Sequence, residues 1–200
     1  MTTPQDLLII AMDVTSSRDI GQGDLSLALA GAELVDLIEA GALTLDDDRI
    51  VPGAAWTLDD ALLSEAVSSL VRQEPYESVE DWLWRRGRDL FAAYRAAVEA
   101  QTPVAAGRRR WNPLRGGPAE RADSPARRRA EDRWSKGDPV LVGLAAAVGI
   151  EHPDGEGAAP ADEAVGTVLD AVHDAETELE AVRQRRSIEN AAFDNIWRAP

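Results

Sequence analysis

Arginine is the residue type with chemistry to offer in this chain. Of its 21 Lys and Arg, 20 are Arg, and 14 of the 21 fall between Arg85 and Lys136 against only six of the 36 Asp and Glu. The rest of the chain carries 7 basic residues against 30 acidic ones, within a net charge of -15. The sequence therefore describes an acidic body with one basic band. Guanidinium groups fork onto phosphate and carboxylate oxygens, and a concentrated basic segment on an acidic body points to a local anion site. The plain alternative is that the band pairs with the acidic surface of its own fold. The most concentrated piece is GRRRWNPLRGGP, which sets Arg108, Arg109, Arg110 and Arg115 around Trp111 and Leu114. An aromatic ring and a leucine among arginines suit an interface with anionic lipid, the ring at headgroup level and Arg on phosphate. The same composition suits nucleic acid, with Trp stacked on a base. A third reading packs Trp111 inward to fix the loop. Arg127, Arg128 and Arg129 extend the band in RRRAEDRW.

No set of residues assembles a catalyst. The chain has no cysteine, which excludes disulfides, zinc–thiolate sites and thiol catalysis. His152 and His173 sit in different contexts without the H-x-x-x-H spacing of a metal site. Neither a G-x-S-x-G nor a phosphate-binding or dinucleotide fingerprint occurs. Asp46, Asp47 and Asp48 lack the calcium-loop pattern and read as a solvated turn. The expectation is a protein without catalytic residues, metal or cofactor.

The elements that must position the arginines are mostly helical. Residues 5–12 form an apolar helix, followed by a polar loop from Asp13 to Gly23. Leu27, Ala30, Leu34, Leu37 and Ile38 recur at helical spacing from Leu25 to Ala40, and Gly41 stops that helix. ALTLDDDRIVP predicts a small β-hairpin. A second long helix is expected from about Asp59 to Arg72. Ser78 with Asp81 resembles a capping box for the next one, whose apolar face contains Val79, Trp82, Leu83, Leu90 and Tyr94. Arg86 falls on that apolar face, and a break or kink is expected at Trp84–Arg88 beside Gly87. Arg85 and Arg88 project to the opposite side if the helix continues. Pro113, Gly116, Gly117 and Pro118 make residues 101–123 a hairpin or extended loop. Ser124-Pro125 and Asp138-Pro139 each open a helix, basic in the first case and apolar in the second. A helix from Asp162 to about Arg186 and a separate last one from Ser187 to Trp197 complete the chain. No apolar run approaches the roughly 20 residues that span a bilayer. The start of the chain lacks the basic segment of a signal peptide. The expected location is cytoplasmic, with or without membrane association.

Read as a whole, the chain resembles the Golgi phosphoprotein 3 family, in particular its shorter actinobacterial members. The resemblance runs through QDLLIIAMDVTSSRD, LSLALAGAELVDLIEAGALTLDDDRIV, DDALLSEAVSSL, ESVEDWLWRRGRDL and GRRRWNPLRGGP to the C-terminal helices. Its most specific piece is the small-residue helix followed at once by its hairpin. It implies a mainly α, single compact domain over residues 1–200 around a central apolar helix, with small β-hairpins and a projecting one at about 104–119. Eukaryotic members bind phosphatidylinositol 4-phosphate on Golgi membranes and retain glycosyltransferases by their cytoplasmic tails. Their headgroup pocket uses a tryptophan and an arginine near the first long helix and two arginines three apart on a later one. In this chain no Trp precedes Leu25, the helix arginine falls on Ala30, and the pair falls, within about one position, on Arg85 and Arg88. The projecting hairpin would carry Trp111, Pro113 and Leu114 at its tip.

The resulting expectation is a peripheral adaptor that binds an anionic headgroup with Arg85, Arg88, Arg108, Arg109, Arg110 and Arg115, and touches the membrane with Trp111 and Leu114. Its partners would be an anionic phospholipid or another phosphate-bearing ligand, and protein tails; a homo-oligomer is compatible with the same sequence. The alternative is a protein–protein interaction module whose lipid site is lost. Nucleic acid is disfavoured, because the helix–hairpin–helix at 25–72 is acidic and would repel a phosphate backbone.

Overall fold

The computed structural model describes residues 2–14, 20–54, 58–101, 124–155 and 157–198. Among them are eight helices and one two-stranded antiparallel sheet: α1 (Thr3–Val14), α2 (Gln22–Glu39), β1 (Leu43–Asp46), β2 (Arg49–Pro52), α3 (Ala61–Ser68), α4 (Val79–Arg86), α5 (Leu90–Gln101), α6 (Pro125–Ser135), α7 (Pro139–Ala147) and α8 (Glu163–Arg198). The mainly α class is as expected. The hairpin at 104–119, with Arg108, Arg109, Arg110, Trp111, Leu114 and Arg115, lies outside the described residues.

α2 is the central helix. Every residue from Leu25 to Val35 is buried, and α1, α3, α4, α5, α7 and α8 all pack around it. Small side chains make this possible. At Gly31 a Cβ would stand 2.4 Å from Val172 Cγ2, so α8 approaches the α2 backbone closely there. Fully burying each Leu or Val of this core contributes roughly 1.5–3 kcal/mol, which is why the apolar face reads through so clearly in the sequence. β1 and β2 pair from Leu43↔Pro52 to Asp46↔Arg49, with Leu43 and Ile50 turned into the core.

Side-chain caps fix the helix starts. Asp60 accepts from the Leu62 and Leu63 amides at the start of α3 and also from Gln5 Nε2 at 2.8 Å, joining α3 to α1. Ser78, Ser124 and Asp138 cap α4, α6 and α7. Asp36 of α2 accepts from the Thr3 amide at 2.8 Å and so caps α1 from a distance; burial pushes its carboxyl up to about 6.

Two boundaries differ from expectation. α3 ends at Ser68 instead of Arg72, because the Ser69 amide and hydroxyl turn back onto the Ala66 carbonyl. The last two expected helices are one, α8, because no Gly or Pro interrupts residues 167–199.

Candidate functional site

Three arginines of the α4–α5 segment have different fates, and the differences define the site. Arg86, expected on the apolar face, is inside the molecule. Its Nε donates to Glu33 Oε2 at 2.8 Å, its other nitrogens reach Glu33 Oε1 at 3.1 Å, Glu65 Oε1 at 2.6 Å and the Leu62 carbonyl at 3.2 Å. Glu33 is fully buried in the middle of α2, and the Tyr94 hydroxyl donates to it at 2.9 Å. Burial raises the pKa of Glu33, while Arg86 and Tyr94 pull it back. Burial disfavours the Arg86 charge, but the Glu33 and Glu65 carboxylates outweigh it and raise its pKa. This network is an internal brace. Glu33 carried no expectation from sequence, although its spacing from Ala30 and Leu37 puts it on the inward face.

Arg85 is held on the surface. It forks onto Glu77 with Nε at 2.6 Å and a terminal nitrogen at 2.7 Å, donates to the Ser69 carbonyl, and lies 5.1 Å from the Trp82 ring centroid. Trp82 is itself fully buried and donates its indole N–H to the Ala30 carbonyl at 3.2 Å. Ala30, the position at which the family resemblance looks for a pocket arginine, is therefore core.

Arg88 follows the break. α4 stops at Arg86, Gly87 caps it, and α5 starts at Leu90, with Asp89 in the left-handed region at φ 59. Gly87 is required by space, since a Cβ there would meet the Leu83 carbonyl at 2.6 Å and the Ser26 carbonyl at 3.3 Å. The turn thus presses against the first turns of α2, and the Phe91 amide donates to Ser26 Oγ at 3.3 Å. Between them lies a cleft of about 310 Å³. Arg88, Asp89, Trp84 and Phe91 line one side, and Gln22, Gly23 and Leu27 of α2 the other, with Leu179 of α8 at the edge. Among the described residues Arg88 has no side-chain partner. Gln22 and Gly23 place the first turn of α2 on the same cleft; Gly21 gives that helix no side-chain cap, and the Asp24 carboxylate in the turn offsets the positive end of its dipole. Arg85 does not line it.

Beside the cleft, α8 is clamped to α2. One terminal nitrogen of Arg183, Nη1, donates to both oxygens of Asp24 at 2.7 Å, in space left by Gly21 and Gly23, where a Cβ would stand 2.9 and 3.1 Å from the guanidinium. Glu176 lies against the same carboxylate. Burial pushes its carboxyl up to about 8, and the charge of Asp24 pushes the same way.

In the basic band of α6, Arg127, Arg129 and Arg133 are drawn onto acidic partners, while Arg128 is exposed. Arg129 and Arg133 hold the two oxygens of fully buried Asp6 at 2.7 and 2.9 Å; Arg133 also reaches Asp138, and Arg127 pairs with Asp13 and Glu131. For these residues the band pairs with its own fold. His152 is a loop pin: its Nδ1 accepts from the Asp154 amide and its Nε2 reaches the Trp134 carbonyl at 2.8 Å. Among the described residues no group of His, Cys, Asp and Glu is arranged to hold a metal ion, and no helix is long and apolar enough to cross a membrane.

Comparison with curated proteins and with solved structures finds no match. Comparison with family models does: the model described as Golgi phosphoprotein 3 (GPP34) matches residues 4–190 of the 200. With nearly the whole chain covered, including α2, its hairpin and the turn that carries Arg88, the protein belongs to the Golgi phosphoprotein 3 family.

Proposed function

We propose that the protein is a non-enzymatic peripheral adaptor that holds a phosphate-bearing lipid headgroup in the cleft between α2 and the α4–α5 turn. The observation that carries this reading is Arg88: it lines a cleft and, among the described residues, its guanidinium has no partner, at one of the positions the family resemblance marks for phosphate. The Trp84 indole, whose N–H has no acceptor among the described residues, would supply a further donor. Arg108, Arg109, Arg110 and Arg115 would add charge at the membrane, and Trp111 and Leu114 apolar contact. Anionic headgroups, phosphatidylinositol 4-phosphate first among them by family, are the first ligands to try, and protein tails are the partners the family suggests.

A specific observation also favours a second reading, a protein–protein interaction module with the lipid site lost. Arg85 is engaged by Glu77 and Ala30 is core, so two of the family's phosphate-binding positions offer no free cation.

Co-sedimentation with phosphatidylcholine vesicles, alone or with phosphatidylinositol 4-phosphate, cardiolipin or phosphatidylethanolamine, separates the two. Binding that needs the added lipid and disappears in Arg88→Ala supports the cleft; absence of binding to every vesicle at low and physiological salt overturns it in favour of the second reading.

A further inference from the structure

The charges that line the cleft say what kind of headgroup fits. A multiply charged anion needs several cations around it, because charge-assisted Arg–phosphate bonds carry most of its affinity. The described cleft wall offers one, Arg88, and sets a carboxylate, Asp89, next to it. Both residues are exposed; among the described residues the Arg88 guanidinium and the Asp89 carboxylate have no protein partner, and they do not pair with each other. The two neighbouring arginines are bound elsewhere, Arg85 to Glu77 and Arg86 to Glu33 and Glu65. The nearby Arg183 is paired with Asp24 through one terminal nitrogen. The wall is therefore neutral overall but dipolar, with one positive and one negative group a residue apart.

The rest of the lining is apolar and aromatic, including Trp84, Phe91 and Leu27. An aromatic face attracts a cation. The Trp84 indole N–H, which has no acceptor among the described residues, is a donor for a phosphate oxygen. The volume, about 310 Å³, lies at the lower end of ligand pockets, roughly 300–1,000 Å³, and suits a headgroup without its acyl chains.

Resting on the cleft reading above, we infer that the ligand is a phosphate diester carrying a primary ammonium group, the chemistry of an ethanolamine phosphate headgroup. Arg88 and the Trp84 N–H take the phosphate; Asp89 and the aromatic walls take the ammonium. A dipolar ligand satisfies both unpaired charges, whereas a polyanion satisfies one and is repelled by the other.

The test is titration calorimetry of the full chain with three soluble probes. These are glycerophosphoethanolamine, glycerophosphoglycerol (the same diester with a diol in place of the amine) and inositol 1,4-bisphosphate. Co-sedimentation on phosphatidylcholine vesicles with and without phosphatidylethanolamine then tells a lipid source from a soluble one. The expected result is a preference of about tenfold for the amine probe over the diol probe. Arg88→Ala abolishes binding of both. Asp89→Asn, which tolerates the left-handed backbone at φ 59, removes the preference and leaves the diol probe unchanged. Arg88-dependent binding in which the diol or the bisphosphate equals or exceeds the amine probe overturns the inference and leaves the cleft reading standing. No Arg88-dependent binding of any probe or vesicle overturns both.

Discussion

Arg86 and Arg88 are two residues apart in the chain and in opposite environments. Arg86 reaches into the interior, where Glu33, Glu65 and a carbonyl satisfy it. Arg88, past the helix break, lines an open cleft with nothing paired to it among the described residues. Arg85 lies between these extremes, on the surface but forked onto Glu77. The same comparison holds for α6, whose Arg127, Arg129 and Arg133 are all drawn onto acidic partners of α1 and its own helix. A count of arginines therefore does not locate a site in an acidic protein. What locates it is an arginine that the acidic body has left unpaired in a concave place.

The comparison yields predictions of decreasing size. Arg86→Ala leaves Glu33 buried without its counter-charge and should cost about 3–5 kcal/mol in chemical denaturation. Replacing Glu33 and Arg86 together by leucine should cost less than that single change, because no lone charge remains. If the single and double variants are equally unstable, the network is not a coupled pair. Asp6→Ala comes next. It strips Arg129 and Arg133 of their shared acceptor but leaves both partly solvated, so a loss of about 1–3 kcal/mol is expected from thermal or chemical melts.

A third prediction concerns pH. The Glu176 carboxyl stands at about 8 in the folded protein against 4.5 for the free group, and that of Asp36 at about 6 against 3.8. In each window the folded state holds a proton that the unfolded chain releases, so stability falls as pH rises. Asp36 acts between 3.8 and about 6, Glu176 between 4.5 and about 8. Glu176→Gln should abolish the decline above pH 6 and melt higher than the parent above pH 8. A parent whose melting temperature stays flat from pH 6 to 8 contradicts the raised Glu176 carboxyl.

Much of this was legible in the sequence. The apolar period of α2, the cap at Ser78 and the break beside Gly87 follow from residue types and local spacing, and the structure has all three. Arg86 on the apolar face was legible too. What spacing cannot show is which acid meets which base across the chain. Glu33 and Arg86 are 53 residues apart, and Asp6 and Arg129 are 123 apart. Those pairings, set by how the helices pack on α2, decide which arginines stay free. The separation of Arg85 from Arg88 has a local cause instead: a continuous helix would carry them on one side, and the turn at Gly87 gives them different surroundings.

The central claim is that Arg88 binds while Arg85 braces. It is tested most directly by taking Arg85→Ala and Arg88→Ala through the same two assays, chemical denaturation and vesicle co-sedimentation. Arg85→Ala should lose about 0.5–1.5 kcal/mol of stability, through its fork onto Glu77, and keep its vesicle binding. Arg88→Ala should stay within about 0.5 kcal/mol of the parent, as surface changes do, and lose its binding. The reverse pattern, or binding lost equally in both variants at parental stability, would contradict the division of labour on which the cleft assignment rests.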